Sequence, residues 1–393
     1  MVDEQATDTT LDAYFNDRVV TAALRVWARD LGLIISIPAS PWRRRGGTGA
    51  QLTSVDLFQR LPGRFNVSPQ SVIVKVCAKG EYSAEPQQHK LAGEARPEFS
   101  KRHFAEQPYD PVELPDGRSI MFQEPNFDVG STATLGELPV AYQALGCRRA
   151  FSLILQEWND SLSVRQETLS VSQYLRVELR HAMSPGRSAY EWVKGAHLLQ
   201  GGVRLSSSVI DGASEVLPNP IDLFADFSPM ENVQVKYFAG FSHGDLHLDN
   251  LVISRQYAEP PRFDEMQFID LSGFARGAPL ARDVVTLTLS CVFRSLRAGL
   301  DFKQKQVLLD CLADGVPDAQ LVLPAPLRDT LAEVSHVCLL FPQDRELWHA
   351  QYLLSLLAQA LIYTSYENVG ESGRRWFFCL AARAAKSFLS LLQ

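Results

Sequence analysis

The sequence predicts an α+β protein with two lobes, a small N-terminal lobe with an antiparallel sheet and a larger, mostly helical C-terminal lobe. Strand-like segments occur mainly before residue 125, and beyond that point helical spacing of apolar residues dominates. At 393 residues, 46% of them hydrophobic, the chain is long enough for a sizeable core. We therefore expect a first lobe over residues 1–124 and a second over residues 125–393.

The first candidate element is a helix. Apolar residues recur at helical spacing from Thr10 to Leu31, and Gly32 provides a stop signal. The pattern predicts an amphipathic helix that either packs on the first lobe or binds a partner protein.

A glycine-rich turn separates the next two strand candidates, Leu33–Ile37 and Gln51–Phe58. The residues at its centre are Gly46, Gly47, Thr48 and Gly49. Glycines let backbone N–H groups approach a phosphate closely, because no Cβ intervenes. The turn therefore either covers the phosphates of a nucleotide or is a plain hairpin turn.

A lysine lies within the next apolar strand candidate, Ser71–Val76. Burying Lys75 there costs free energy unless its ammonium group pairs with an anion or extends to water at the end of its apolar side chain. The strand is followed by a helix candidate from Glu85 to Ala95, which Pro97 would end.

A hairpin and a series of helices complete the prediction. Tyr109–Leu114 and Ser119–Glu124 flank a Pro-Asp-Gly turn, which favours a hairpin. Helical spacing is found at residues 140–158, 165–200, 283–298, 303–313, 325–340, 345–365 and 374–392. Residues 201–229 show no clear period and form either an inserted loop near a substrate or a surface connection.

Oxygen-bearing side chains are concentrated in two short segments, HGDLHLDN at residues 243–250 and IDLSGFARG at residues 269–277. Asn250 and Asp270 offer the amide and carboxylate oxygens that a hard divalent cation prefers. Asp245 is a candidate acceptor for the proton of a nucleophilic hydroxyl, as in phosphoryl transfer. A turn rich in polar residues between two buried strands is the simpler alternative.

These two segments resemble the catalytic loop and the metal-binding segment of the aminoglycoside phosphotransferase and choline kinase family. The resemblance combines the His-Gly-Asp-x-x-x-x-Asn pattern, the apolar strand after it, the apolar-Asp-apolar segment about twenty residues later and Asp283. It implies a bilobal protein-kinase-like fold and an ATP- and Mg²⁺-dependent phosphotransferase. It makes Asp245 the catalytic base, Asn250 and Asp270 the magnesium ligands, and Asp283 a structural acid that holds the loop. His243 would brace the loop.

The same resemblance assigns nucleotide-binding roles in the first lobe. It places Lys75 on the α- and β-phosphates and the turn at residues 46–49 over the nucleotide. It also implies that a glutamate of the following helix orients the lysine. Glu85 is the first choice and Glu94 the second, since the spacing does not decide between them. The segment around Glu124 would be the hinge, where backbone groups hold an adenine edge.

The amino-acid composition limits the cellular compartment and the classes of partner that we expect for this protein. The net charge of −7 argues against an extended nucleic-acid surface. Six cysteines without a Cys-x-x-Cys pair are typical of buried thiols in a reducing cytoplasm. From the acidic N-terminus we expect no signal peptide, and because no apolar run reaches roughly 18 residues we expect no membrane span. We expect a cytoplasmic enzyme that binds a nucleotide and a hydroxyl-bearing acceptor, either a small molecule or a protein.

Two other functions are compatible with the sequence. A nucleotide-binding pseudokinase would act as a scaffold or a switch, and a helical interaction protein would use its C-terminal helices as the working surface. Magnesium-dependent ATP turnover distinguishes the enzyme from the first alternative, and thermal stabilisation by Mg-ATP excludes the second.

Overall fold

The computed structural model describes residues 11–39, 43–45, 51–59, 69–79, 84–126, 132–160, 163–199, 205–206, 216–254, 261–315, 322–337 and 344–393. The chain forms two compact units. The first consists of Met1–Glu137 and Asp249–Phe274, and the second consists of Leu138–Leu248 and Ala275–Gln393. The predicted lobe boundary after residue 124 stays a prediction.

An antiparallel sheet is the main feature of the first unit. Its strands are β1 (Leu33–Ser36), β2 (Arg43–Arg45), β3 (Gln51–Gln59), β4 (Gln70–Cys77), β5 (Val112–Glu113) and β6 (Ser119–Gln123). They follow the order β1-β3-β4-β6-β5, and β2 pairs with β3. Side chains alternate between the two faces, so Val72, Val74 and Phe122 share one face and pack in a core with helix α1 (Arg18–Asp30).

The helix predicted from Thr10 to Leu31 is interrupted, and its first residue lies outside the described part of the chain. Asn16 has a φ of 52°, in the left-handed region that asparagine tolerates better than most residues. The carboxylate of Asp17 then accepts the N–H groups of Val19 (3.0 Å) and Val20 (3.2 Å) and caps α1. Short polar side chains thus end one helical segment and start the next.

Two helices and a small sheet complete the first unit. The helices are α2 (Glu85–Ala95), as predicted, and α3 (Pro97–His103). The small sheet is antiparallel, in the order β13-β12-β7, with β7 at Thr132–Thr134, β12 at Leu251–Ser254 and β13 at Gln267–Phe268. It brings the segment around Asn250 beside the segment before Asp270.

The second unit is mostly helical. Its helices are α4 (Val140–Ser152, extended as a π-helix over Leu153–Trp158), α5 (Val171–Leu179), α6 (Ser188–Gly195), α7 (Ala281–Ala298), α8 (Phe302–Asp314), α9 (Ala325–Val337), α10 (Arg345–Tyr363) and α11 (Gly370–Ser390). These elements, with the sheet of the first unit, confirm the predicted α+β class and the predicted content of the two parts.

A three-stranded sheet corrects one prediction in the second unit. We expected helical structure from residue 165 onward, but Arg165–Ser170 forms strand β8. It pairs with β11 (Gln234–Ser242) along its whole length, and β14 (Ala275–Pro279) lies on the other side of β11. Pairing with a neighbouring strand overrides the local preference of this polar segment.

The segment at residues 201–229 is described only in part, since residues 201–204 and 207–215 lie outside the described chain. Leu205–Ser206 (β9) and Val216–Leu217 (β10) form a two-stranded antiparallel pair. Whether the segment borders a substrate stays a prediction.

The five cysteines that the structure describes are buried and form no disulfide with one another, and the sequence analysis expected buried thiols. In the described residues no helix combines the length and the apolarity that a membrane crossing requires.

We predict that Gly240→Ala destabilises the second unit. Gly240 lies in β11, where a Cβ would collide with Asn159 Oδ1 and come within 2.6 Å of Leu280 Cδ2. Asn159 is buried and binds both the N–H and the carbonyl of Phe241, so it cannot move without losing these bonds. We expect a loss of about 2 kcal/mol in the free energy of unfolding, measured by urea denaturation.

The matched control is Gly195→Ala, where no atom lies within 4 Å of the added Cβ. Gly195 ends a helix, so alanine is not expected to lower stability there. Equal effects of the two substitutions would contradict the packing argument.

Candidate active site

Strand β11 leads directly into the loop that begins at His243, and a single carboxylate fixes the start of this loop. Asp283, in the first turn of α7, accepts the N–H groups of His243 (2.6 Å) and Gly244 (3.0 Å). Its Oδ1 also accepts the hydroxyl of Ser242 at 3.0 Å. Gly244 has a φ of +83°, a conformation that favours glycine. Asp283 therefore holds the loop through its backbone N–H groups, as the resemblance implies.

The side chain of His243 is fully buried beneath the loop, and that of Asp245 is accessible. The backbone N–H of Asp245 faces His243 Nδ1 at 3.4 Å. The Asp245 side chain is 46% exposed, and its Oδ2 lies 3.9 Å from His247 Nε2. The hydroxyl of Ser290 accepts the N–H of Leu248 at 3.2 Å. Asp245 thus lies exposed on a loop that hydrogen bonds hold in place, so a second molecule can reach its carboxylate.

Lys75 and two carboxylates form a buried cluster in the first unit. Lys75 Nζ lies 2.6 Å from Glu85 Oε1 and 2.9 Å from Asp270 Oδ2. The side chains of Lys75 and Glu85 are 2% and 3% exposed, and that of Asp270 is 24% exposed. β4, the start of α2 and the turn after β13 each supply one member. The structure thus brings together three residues that lie far apart in the sequence.

The electrostatics of the cluster follow from one ammonium shared by two carboxylates. Burial opposes the charge on Lys75, but the charges of Glu85 and Asp270 outweigh it and raise the pKa of Lys75 above its usual value. Burial, together with the nearby Asp270, raises the pKa of Glu85 to about 7, although Lys75 acts in the opposite direction. At neutral pH the lysine therefore stays a cation beside the partly exposed Asp270.

Asp270 has a left-handed backbone, with φ 63° and ψ 60°. This conformation is uncommon for a residue other than glycine and is found where the surrounding structure enforces it. The carboxylate is fixed at both oxygens, since Ser272 donates its hydroxyl to Oδ1 at 2.9 Å and Lys75 binds Oδ2. The turn therefore holds this carboxylate in a fixed orientation.

Asn250 lies next to this turn. Its backbone carbonyl accepts the N–H of Ile269 at 3.0 Å, and the residue is only 5% exposed. One amide and one carboxylate suit Mg²⁺, which completes its shell with waters and substrate phosphates. Among the described residues there is no group of three or more His, Cys, Asp or Glu that could hold a metal ion by itself.

The remaining predicted nucleotide-binding residues have different outcomes. Glu85, not the exposed Glu94, pairs with Lys75. The glycine-rich turn at residues 46–49 lies outside the described residues. The N–H and the carbonyl of Glu124 are both bonded to Glu106, at 2.8 Å each. The donor that we expected Glu124 to offer to an adenine edge is therefore already used within the protein.

Two polar neighbours of the site were not anticipated from the sequence. Ser272 follows Asp270 by two residues, a spacing at which a hydroxyl can bind the carboxylate, so a signal was present. Cys77 lies two residues after Lys75 and donates from its Sγ to Glu85 Oε2 at 3.7 Å. Only the fold places this thiol beside the glutamate, and no sequence pattern indicates it.

Comparisons with known proteins find similar solved structures. No protein-family model matches the sequence, and no curated protein does. A protein from Ralstonia eutropha JMP134 that has been assigned as an aminoglycoside phosphotransferase shows 13% identity and a TM-score of 0.44, over 94% of this chain and 98% of that chain. A glucosamine kinase in complex with glucosamine, ADP and inorganic phosphate shows 12% identity and a TM-score of 0.47, over 96% and 89%.

A choline kinase from Cryptosporidium parvum Iowa II shows 10% identity and a TM-score of 0.34, over 95% of this chain and 94% of that chain. These structural neighbours are kinase-like phosphotransferases, the kinds of protein that the motif resembles. Because the identities and TM-scores are low, the proposals below rest on the residues of this chain.

We predict that Lys75→Met destabilises the first unit, because it leaves Glu85 buried without its cationic partner. Breaking one side of a buried ion pair typically costs about 3 to 5 kcal/mol. The double variant Lys75→Met/Glu85→Leu removes both charges and should recover most of this loss. Chemical denaturation of the two variants gives the comparison.

Lys79→Met is the control, because Lys79 is exposed just after the same strand. It should leave stability nearly unchanged. If the single and double variants at Lys75 were equally unstable, the stated role of the buried charge pair would be wrong.

Proposed function

We propose that the protein is an ATP- and Mg²⁺-dependent phosphotransferase that moves the γ-phosphoryl group of ATP to a hydroxyl acceptor. The observation that supports this most strongly is the buried Lys75, which is bonded to both Glu85 and Asp270. A buried ammonium between two carboxylates has little value as a stabilising device, since desolvation offsets most of the attraction. It is useful where charged phosphates must be positioned.

The arrangement agrees with what phosphoryl transfer requires, namely positioning and charge neutralisation with little covalent chemistry from the protein. Lys75 contributes a fixed cation, and Glu85 holds the ammonium group in place. The glycine-rich turn at residues 46–49 is proposed to contact the phosphates through its backbone N–H groups.

Asn250 and Asp270 are proposed to hold magnesium. The ion, when bound with the nucleotide, neutralises phosphate charge and aligns the γ-phosphoryl group for transfer. The protein prepares this by fixing both Asp270 oxygens, through Lys75 and Ser272, and by bonding Asn250 to the backbone of Ile269.

Asp245 is proposed to orient the acceptor hydroxyl and to accept its proton. It precedes Asn250 by five residues in a loop whose start is fixed by Asp283. Because the side chain is 46% exposed, a substrate can reach its carboxylate. The acceptor is a hydroxyl-bearing small molecule or protein, and amino sugars, aminoglycosides and choline form a first set to assay.

We predict that Asp245→Asn abolishes transfer without loss of nucleotide binding. Asparagine keeps the size of the side chain but cannot take up the proton, so kcat should fall by at least about 100-fold. Magnesium-dependent ATP turnover with the acceptor set measures the rate, and calorimetric titration with Mg-ATP measures the affinity.

The exposed Asp329→Asn is the control and should leave both quantities unchanged. An active Asp245→Asn variant would contradict the role of this residue. A native protein that binds Mg-ATP but turns over none of it, with any acceptor or by autophosphorylation, would favour the pseudokinase alternative.

A further inference from the structure

A cavity of about 120 Å³ lies in the second unit, between helix α5 and the three-stranded sheet of β8, β11 and β14. Leu169 of β8 and Tyr237 of β11 line it from the same face of the sheet, because Leu169 is opposite Val235 in the strand register. Tyr174 of α5 packs edge-on against Tyr237, with ring centres 5.4 Å apart. Packed elements of a single unit therefore form the walls of the cavity.

The cavity opens to solvent. Val177, which is 60% exposed, and the exposed Arg276 both belong to its lining. Ala278 and Pro279 add apolar surface from β14. The described residues that line the cavity include neither the proposed base nor a proposed magnesium ligand. A molecule from solvent can thus enter the cavity without occupying the candidate active site.

Arg282, in the first turn of α7, lines the cavity with a guanidinium group that is only partly bonded. Its Nε and Nη2 donate to the two carboxylate oxygens of Glu178, the first of them at 2.8 Å. Its Nη1 has no hydrogen-bond partner among the described residues, and the side chain is 14% exposed. One donor nitrogen of a mostly buried arginine is therefore available to a ligand.

The hydroxyl of Tyr237 is a second unbonded donor. The residue is 6% exposed, and its hydroxyl has no hydrogen-bond partner in the part of the chain that the structure describes. Burial raises the pKa of Tyr237, so the hydroxyl keeps its proton at neutral pH. Mostly buried donors without acceptors are uncommon in native proteins, because nothing compensates for the loss of water. The two donors therefore call for a ligand that supplies acceptor oxygens.

The charge and the apolar walls of the cavity define the ligand further. Two cations, Arg276 and Arg282, and one carboxylate, Glu178, line the cavity, so one additional negative charge balances them. Two unbonded donors match the two oxygens of a carboxylate, and hydrogen bonds to a charged acceptor are the stronger ones. The side chains of Leu169 and Val177 favour a hydrocarbon body. These properties are those of a site for a small organic carboxylate.

We propose that this cavity binds a small organic carboxylate, whose oxygens accept hydrogen bonds from Arg282 Nη1 and from the Tyr237 hydroxyl. Arg282 directly precedes Asp283, which holds the start of the loop at His243. Tyr237 lies in β11, the strand that leads into the same loop. A bound carboxylate thus connects two elements that support the loop. This inference concerns a separate site and does not rest on the proposed function.

Ligand-observed NMR titrations of the native full-length chain, without nucleotide, test the inference. The probes are isobutyrate and benzoate, their neutral amides isobutyramide and benzamide, and inorganic phosphate, all at constant ionic strength. At least one carboxylate should bind about tenfold more tightly than its amide, because the amide cannot form the charge-assisted hydrogen bonds. Phosphate should bind more weakly than that carboxylate, since the cavity offers it two unbonded donors and apolar walls. The bound carboxylate should also raise the melting temperature.

Tyr237→Phe removes one of the two donors and keeps the aromatic ring. It should weaken carboxylate binding about tenfold, the loss expected for one hydrogen bond to a charged group. It should not lower the melting temperature of the ligand-free protein, because the hydroxyl has no partner to lose. Tyr142→Phe is the matched control, since Tyr142 lies in α4 and does not line the cavity. This control should leave carboxylate binding unchanged.

Three results would overturn the inference. Neither carboxylate binds, the amides or phosphate bind as tightly as the carboxylates, or Tyr237→Phe binds the carboxylates as the native protein does. Each of these results leaves the proposed phosphotransferase function intact, because no nucleotide takes part in the measurement.

Discussion

The first unit depends on one constraint, a buried ammonium group that must satisfy two carboxylates. Lys75 can remain charged inside the protein only because Glu85 and Asp270 both contact it. That requirement fixes the start of α2 against β4 and fixes the turn after β13 against the same strand. Asp270 combines a left-handed backbone with a carboxylate that is bonded at both oxygens, to Ser272 and to Lys75.

The second unit contains a different kind of anchor. Asp283 binds backbone N–H groups at the start of the loop, so the loop conformation depends on Asp283 and on Gly244 more than on the side chains that follow. Asp245 is left exposed by this arrangement, while His243 is buried under it. A rigid support beneath an accessible carboxylate is a suitable arrangement for general base catalysis.

Much of this was predictable, because the elements carry local signals. Lys75 among β-branched residues required either an anion or access to water, and helix α2 covers Glu85–Ala95 as predicted, ending before Pro97. The choice between Glu85 and Glu94 required the fold, since sequence spacing does not show which face of α2 meets β4. Strand β8 was missed because its polar sequence is determined by pairing with β11. The hydrogen bonds of the Glu124 backbone could not be predicted either, because they form in a β-bridge to Glu106, which is distant along the chain.

The most direct measurement of the central claim is the magnesium dependence of ATP binding in the native protein and in Asp270→Asn. Calorimetric titration with ATP at increasing magnesium concentration gives the affinity of each. The account predicts that magnesium strengthens ATP binding to the native protein and has little effect on the variant, because one of the two proposed protein ligands of the ion has lost its charge. Equal magnesium dependence in the two proteins would contradict it, since the cluster around Lys75 would then have no part in binding a metal-bound nucleotide.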